Sequence, residues 1–206
     1  MWPEPEKTEQ LLSDVKVGDP RAVNRLLDHH RAAVHRMVRM RLDRKIQRRV
    51  DVSDVVQDVL VEANRRLQDY LKNPGMSFHL WIRQITRDRI IDAHRRHRAS
   101  AKRSVDREQA MAPQGDDHSS MILAERLYDP ELTPAAAATR REMARQVERA
   151  ITRLSDSDHE IIVMRHYEQL TNQEVSQALG LTEPAASMRY LRAIRRLRTL
   201  LGETRE

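Results

Sequence analysis

The chain has 206 residues, with 37 Lys and Arg against 31 Asp and Glu and a formal net charge of +6. It has no Cys, which excludes a disulfide scaffold, a thiolate metal site and a cysteine nucleophile, and its five glycines lie too far apart for a phosphate-cradling loop. No run approaches the ~18 apolar residues of a membrane span, and Met1-Trp2-Pro3-Glu4 lacks the basic and apolar stretches of a secretory signal, so a cytoplasmic protein of one or two domains with no membrane partner is expected.

Apolar positions recur at three and four residues almost everywhere, which predicts helices. The first runs from about Asp19 to Leu42, with Ala22, Val23, Leu26, Leu27, Val34, Met37, Val38 and Leu42 as its apolar positions. A basic run, Arg36, Arg39, Arg41, Arg44, Lys45, Arg48 and Arg49, spreads around its end. Two readings of that run stay open, phosphate contact and a solvated face.

A second helix is predicted from Ser53 to Leu71. Asp51, Asp54, Asp58 and Glu62 fall together with no Lys or Arg between them, unusual in so basic a chain. A helical wheel puts the four acids on one side with Val61 exposed nearby, and Val55, Val56, Val59, Leu60, Ala63 and Leu67 opposite. Such a stripe repels DNA and suits a basic protein surface; a solvated acidic face is the plainer alternative.

Lys72-Asn73-Pro74-Gly75 signals a turn before a third helix over about 78–98. Phe78, Trp81, Ile82 and Ile85 make one stripe of it and Arg83, Arg87, His94 and Arg98 the opposite one, with Arg95, Arg96, Lys102 and Arg103 extending the basic run. Tyr70, Phe78 and Trp81, three of the chain's seven aromatics, fall within twelve positions here. Cations that track phosphates beside aromatics that stack on bases suit a single strand; Phe78 reads as core, while Trp81 fits core and base stacking equally.

Residues 100–135 turn rich in Ser, Pro, Gly and Asp and lose periodicity apart from a short 121–127 patch, the composition of a flexible linker. Helical signal returns from about Ala135 to Leu201, broken near Ser155, Thr171 and Gly180–Thr182. Thr171-Asn-Gln-Glu174 is a capping box, Gly180 suits a left-handed helix end, and Thr182 can cap the next helix. Helix, short Gly turn and helix make the DNA-binding helix-turn-helix. On its second helix Ala186, Tyr190, Ala193, Ile194, Leu197 and Leu201 share one arc, and Ser187, Met188, Leu191, Arg192 and Arg195 face away. The expected architecture is all-α: two small helical domains, residues 8–100 and 139–203, joined by a linker over 101–138. Of the nine histidines, His94 and His97 are three apart on a helix and His29 and His30 adjacent, but there is no HExxH, no Cys and no carboxylate partner at ligand spacing; Ser155 near Asp158 and His159 is better explained as an N-cap, and no catalytic residue, metal or cofactor is expected.

These pieces in this order resemble a bacterial RNA polymerase sigma factor of the extracytoplasmic-function (ECF) group. Asp51-Val-Ser-Asp54-Val-Val-Gln57-Asp58-Val-Leu60 is similar to the family's D-x-x-D-L/V-V-Q-D/E-V/T-F/L segment of region two. Phe78-His-Leu-Trp81 through Ile85, Arg87, Asp92, Arg95 and Arg96 is similar to F-x-x-W-L-x-x-I-A/T-R-N-x-x-x-D-x-x-R-R, and residues 170–193 are similar to the region-four helix-turn-helix. The resemblance implies that Asp51, Asp54, Gln57, Asp58 and Val61 dock on the clamp helices of the largest subunit of core RNA polymerase. It implies that Trp81, Arg83, Arg87, His94, Arg95 and Arg98 bind and help melt the minus-ten element, while the loop 71–77 cradles a flipped-out non-template base. Ser187, Met188, Arg189, Leu191 and Arg192 would read the minus-thirty-five element. The linker would run near the polymerase active site and RNA exit path, no built-in regulatory domain is expected after Glu206, and control by a separate anti-sigma protein is what the resemblance alone implies.

Two departures stand out. Asp88 occupies the place of the family's Asn, where a carboxylate tolerates phosphate poorly, and Ala185 and Ser187 replace the donors of many members. The rival reading is a helix-turn-helix regulator that binds duplex operators without polymerase, for which an acidic docking stripe has no use.

Overall fold

The computed structural model describes the chain apart from Met1, Asp43, Arg48 and residues 102–116, 128–136 and 203–206. It divides into two compact units, Met1–Asp106 and Arg107–Glu206. Among the described residues there is no strand, and no helix is long and apolar enough to cross a membrane.

The first unit holds α1 (Pro5–Val17), α2 (Ala22–Arg41), the short α3 (Arg44–Gln47), α4 (Val52–Lys72) and α5 (Phe78–Ala101). The sequence reading has no counterpart of α1. Pro5 sits in its first turn, where no intrahelical amide bond is lost, and Gly18 ends it at φ 89°, donating to the Asp14 and Val15 carbonyls. Leu11 and Val15 bury against α2, where Leu26, Val34, Met37 and Val38 are sealed from solvent. Asp51 caps α4 by accepting from the Ser53 N–H at 2.8 Å. Val55, Val56, Val59, Leu60, Ala63 and Leu67 then face the core, as the wheel places them. Tyr70 leaves the end of α4 and donates its hydroxyl to the Met76 carbonyl at 3.0 Å, which ties down the turn before α5.

The corner between α2 and α3 is built by one side chain. Gln47 Nε2 donates to the Arg39 carbonyl at 2.9 Å and the Leu42 carbonyl at 2.7 Å, satisfying acceptors that a helix end leaves open.

The second unit holds α6 (Asp117–Leu127), α7 (Ala137–Thr152), α8 (Asp156–Ile162), a π-helical turn (Val163–Tyr167), α9 (Asn172–Leu179) and α10 (Glu183–Gly202). α6 falls inside the stretch read as linker, yet it packs on α7 and the π-turn. Leu123 and Ala124 are buried there, and so is Ser120, which donates to Glu148 Oε1 at 2.7 Å and lies 3.0 Å from the Tyr167 hydroxyl. The buried Leu123 and Ala124 lie in the short 121–127 apolar patch, which is too brief to mark a helix within a Ser- and Pro-rich stretch. Lys102, Arg103 and the rest of residues 102–116 and 128–136 lie outside the described residues. Ser155 is the N-cap of α8, accepting from the Asp158 N–H at 3.4 Å.

Candidate nucleic-acid and protein interfaces

α4 sets the first surface. With its apolar side in the core, Asp51, Asp54, Gln57 and Asp58 are exposed, and Val61 among them is 66% exposed. Glu62 departs from the predicted stripe. It is buried, hydrogen-bonded by Arg65 Nη2 at 2.6 Å and ion-paired with Arg66 and, at 3.7 Å, with Arg89 of α5. The hydrogen bond from Arg65 is foremost in holding its carboxyl below the usual carboxylate range. Arg65 and Arg66 stand three and four positions on, where helix neighbours meet, so they neutralise Glu62 and draw it out of the acidic face. The outward acids are therefore Asp51, Asp54 and Asp58.

α5 sets the second surface, and here the wheel needs two corrections. Arg83 is only 3% exposed. The first turns of α5 are covered on two sides, with Leu80 buried at 2% beside it, so a wheel that assumes one buried side misplaces the residue. The exposed face instead carries Gln84, Arg87, Asp88, Ile91, Arg95 and Arg96, with His94 half-buried at its edge. Ile91, 43% exposed in the middle of this face, was not anticipated. The side chain of Arg98 lies outside the described residues. Phe78 is core. Trp81 is half-buried, its ring 4.8 Å from Tyr70 and 5.2 Å from Phe78, both tilted, so one side of the indole is packed and part of it remains accessible.

A groove of about 690 Å³ runs between the two helices, with Asp58 and Val61 on the α4 side and Asp92, Arg95 and Arg96 on the α5 side. Arg96 Nη2 pairs with Asp58 Oδ2 across it at 3.3 Å.

The third surface is the helix-turn-helix, which the sequence describes closely. Glu174 N–H donates to Thr171 Oγ1 at 3.2 Å and Thr171 N–H to Glu174 Oε2 at 2.7 Å, a complete capping box. Gly180 adopts φ 64°, a conformation that disfavours a side chain. Thr182 Oγ1 accepts from the Ala185 N–H at 3.3 Å, and Asn172 Nδ2 reaches across the turn to the Glu183 carbonyl at 3.1 Å. Ala186, Ala193, Leu197 and Leu201 anchor α10, and Met188 (57% exposed), Leu191 (46%), Arg192 and Arg195 come together on its outer face. Ser187 and Arg189 are half-buried on the flanks.

The π-turn behind this helix has no sequence signature and was missed. It shifts the register of Arg165 and His166 so that both meet Tyr190: His166 Nε2 lies 2.9 Å from the Tyr190 hydroxyl, and the Arg165 guanidinium sits 5.6 Å over its ring.

Comparison with known proteins agrees with both halves. Residues 21–100 match the family of Sigma-70 region 2, and residues 150–199 match Sigma-70, region 4. The chain is 31% identical over 142 residues to a probable RNA polymerase sigma factor, RfaY, of Xanthomonas campestris pv. campestris, covering 68% of this chain and 31% of that protein's length. It is 28% identical to the RNA polymerase sigma factor CnrH of Cupriavidus metallidurans, over 98% of each chain. It is also 28% identical to the ECF RNA polymerase sigma factor ShbA of Streptomyces griseus, over 89% of each. The solved structure of CnrH in complex with the cytosolic domain of CnrY superposes with a TM-score of 0.56 at 24% identity, covering 94% of this chain and 96% of that one, a likeness of fold. The rival reading as an operator-binding regulator is not favoured. Region two followed by region four, on helices that present the surfaces described above, makes this chain a member of the sigma-70 family in its extracytoplasmic-function group.

Proposed function

We propose that the chain docks on the clamp helices of core RNA polymerase through Asp51, Asp54, Gln57, Asp58 and Val61, and carries promoter DNA on α5 and α10. The observation that carries this is the outer face of α4: a helix with a sealed apolar side presents acids and a 66%-exposed valine outward in a chain of net charge +6. An apolar centre ringed by charge is the makeup of a protein interface, and its sign repels DNA. On α5, Trp81, Arg87, His94, Arg95 and Arg98 hold the melted minus-ten strand, with the loop 71–77 receiving an unstacked base. Arg83, being buried, drops out of the contact set. On α10, Met188, Leu191 and Arg192 read the minus-thirty-five element in the major groove, flanked by Ser187 and Arg189. Functionally the units are residues 8–100 and 139–203, with 101–138 between them, α6 being an annex of the second. An anti-sigma protein is a further proposed partner, a reading supported by the complex in which the relative CnrH was solved.

The test is reconstitution. The chain added to core polymerase starts transcription at a defined promoter, and replacing both Asp54 and Asp58 by Lys abolishes core binding while duplex affinity of the full chain is retained. Strong retardation of duplex DNA with no open complex at any promoter would sink the reading.

A further inference from the structure

Residues 32–50 carry seven Lys or Arg and one Asp, so this short stretch holds the chain's whole formal net charge of +6, and elsewhere basic and acidic residues are equal in number. None of these cations belongs to the surfaces assigned above. Arg36 and Arg39 are exposed one helical turn apart on the last part of α2, and Arg49 is exposed just past α3. They sit on a built corner. Gln47 bonds the α2 carbonyls of Arg39 and Leu42, Ile46 is buried at 4% exposure, and the Arg49 N–H returns to the Ile46 carbonyl at 2.8 Å.

We propose that Arg36, Arg39 and Arg49 form a second phosphate-binding surface on this unit, one that grips the nucleic-acid backbone without reading bases. Two observations favour nucleic acid over a protein partner. The large exposed apolar residues among those described are Val17, Val61, Ile91, Ile122, Met188 and Leu191, none of them in this stretch. A protein interface needs a desolvated apolar or aromatic centre, whereas phosphate contact does not. Six of the seven cations are also Arg, whose planar fork matches phosphate oxygens in pairs. The acidic face of α4 begins immediately afterwards, so the corner steers the polyanion away from the polymerase-docking helix. This inference rests on the promoter-binding reading of the unit.

The experiment compares the full chain, free and reconstituted with core polymerase, with a variant carrying Arg36→Gln, Arg39→Gln and Arg49→Gln. Each is titrated against a promoter duplex and an oligothymidine strand over a range of salt. The slope of log affinity against log salt should become shallower by about 2 to 3, with the larger change on whichever DNA form the corner holds. The corresponding triple Arg→Lys variant should keep the parental slope, because the charge remains. Core affinity should not move. Unchanged slopes on both DNA forms overturn the proposal, and so does a loss of core affinity, which would make the corner a protein surface. Failure of the parent holoenzyme to open the promoter would count against the sigma reading instead, since the slopes of the free chain are read without it.

Discussion

Arg96 of α5 holds Asp58 of α4 at 3.3 Å across an open groove, joining a cation of the helix proposed to hold DNA to an acid of the helix proposed to dock on polymerase. The side chains are 66% and 52% exposed, and such a pair contributes about 1 kcal/mol at most. Replacing Arg96 by Gln should leave the unfolding midpoint nearly unchanged. It should raise core affinity by up to about fivefold, because Asp58 no longer has a competing partner. Titration of labelled core polymerase measures this, and weaker binding by the variant would show that Arg96 supports docking rather than competing with it.

Acid should loosen the first unit through His30. Its ring is buried between α1 and α5: Nε2 lies 3.1 Å from Thr8 Oγ1, and the ring centre is 4.9 Å from Phe78 and 5.4 Å from His29. Burial foremost, then the nearby His29 and His79, lowers its pKa to about 3. The unfolded chain takes up this proton near pH 6.5 and the native chain does not, so stability is complete above about 6.5 and falls as pH drops toward 3. The limiting slope from this one group is about 1.4 kcal/mol per pH unit. Denaturant midpoints between pH 7 and pH 4, followed by fluorescence of Trp2 beside the cluster, test it. His30→Gln should flatten the profile in that window.

The helix-turn-helix should be sensitive at its punctuation. Thr171→Ala removes half of a capping box and should cost about 1 kcal/mol. Gly180→Ala puts a side chain at φ 64° and should cost about 1–2 kcal/mol. Tyr190→Phe breaks the bond to His166 and should cost about 0.5–1.5 kcal/mol, with a matching loss of duplex affinity if the π-turn sets the angle of α10. Thermal unfolding and duplex titration together separate stability from recognition.

α6 should behave as part of the second unit. Ser120→Ala leaves the buried Tyr167 hydroxyl without this neighbour and should cost about 1–3 kcal/mol. A fragment beginning at residue 117 should melt at a higher temperature than one beginning at residue 139. Equal melting temperatures would mean that Leu123 and Ala124 contribute nothing to the fold.

What the sequence made legible follows physical locality. Capping and turn chemistry act over three or four residues, so Thr171, Glu174, Gly180 and Ser155 could be assigned roles from the string alone. The outward positions of Asp54, Asp58, Met188 and Leu191 followed from a helix with one buried side. Arg83 did not, because α5 is covered from two directions at its start, a fact of tertiary packing. Glu62 did not, because its burial beside α5, where Arg89 comes within 3.7 Å, is a matter of tertiary packing, although the neutralising Arg65 and Arg66 stand on its own helix. α1, α6 and the π-turn escaped for a third reason: each is short, and its place depends on partners distant in sequence.

The Glu62–Arg89 contact has a mechanical meaning. α4 has 21 residues, a rod about 30 Å long. Its outer side is exposed, while its inner edge is fastened to α5 by the ion pair with Arg89. Under the proposed function, a small tilt in how the rod is gripped travels to α5 as a displacement of the strand it holds, so the polymerase sets the aim of this unit as well as recruiting it.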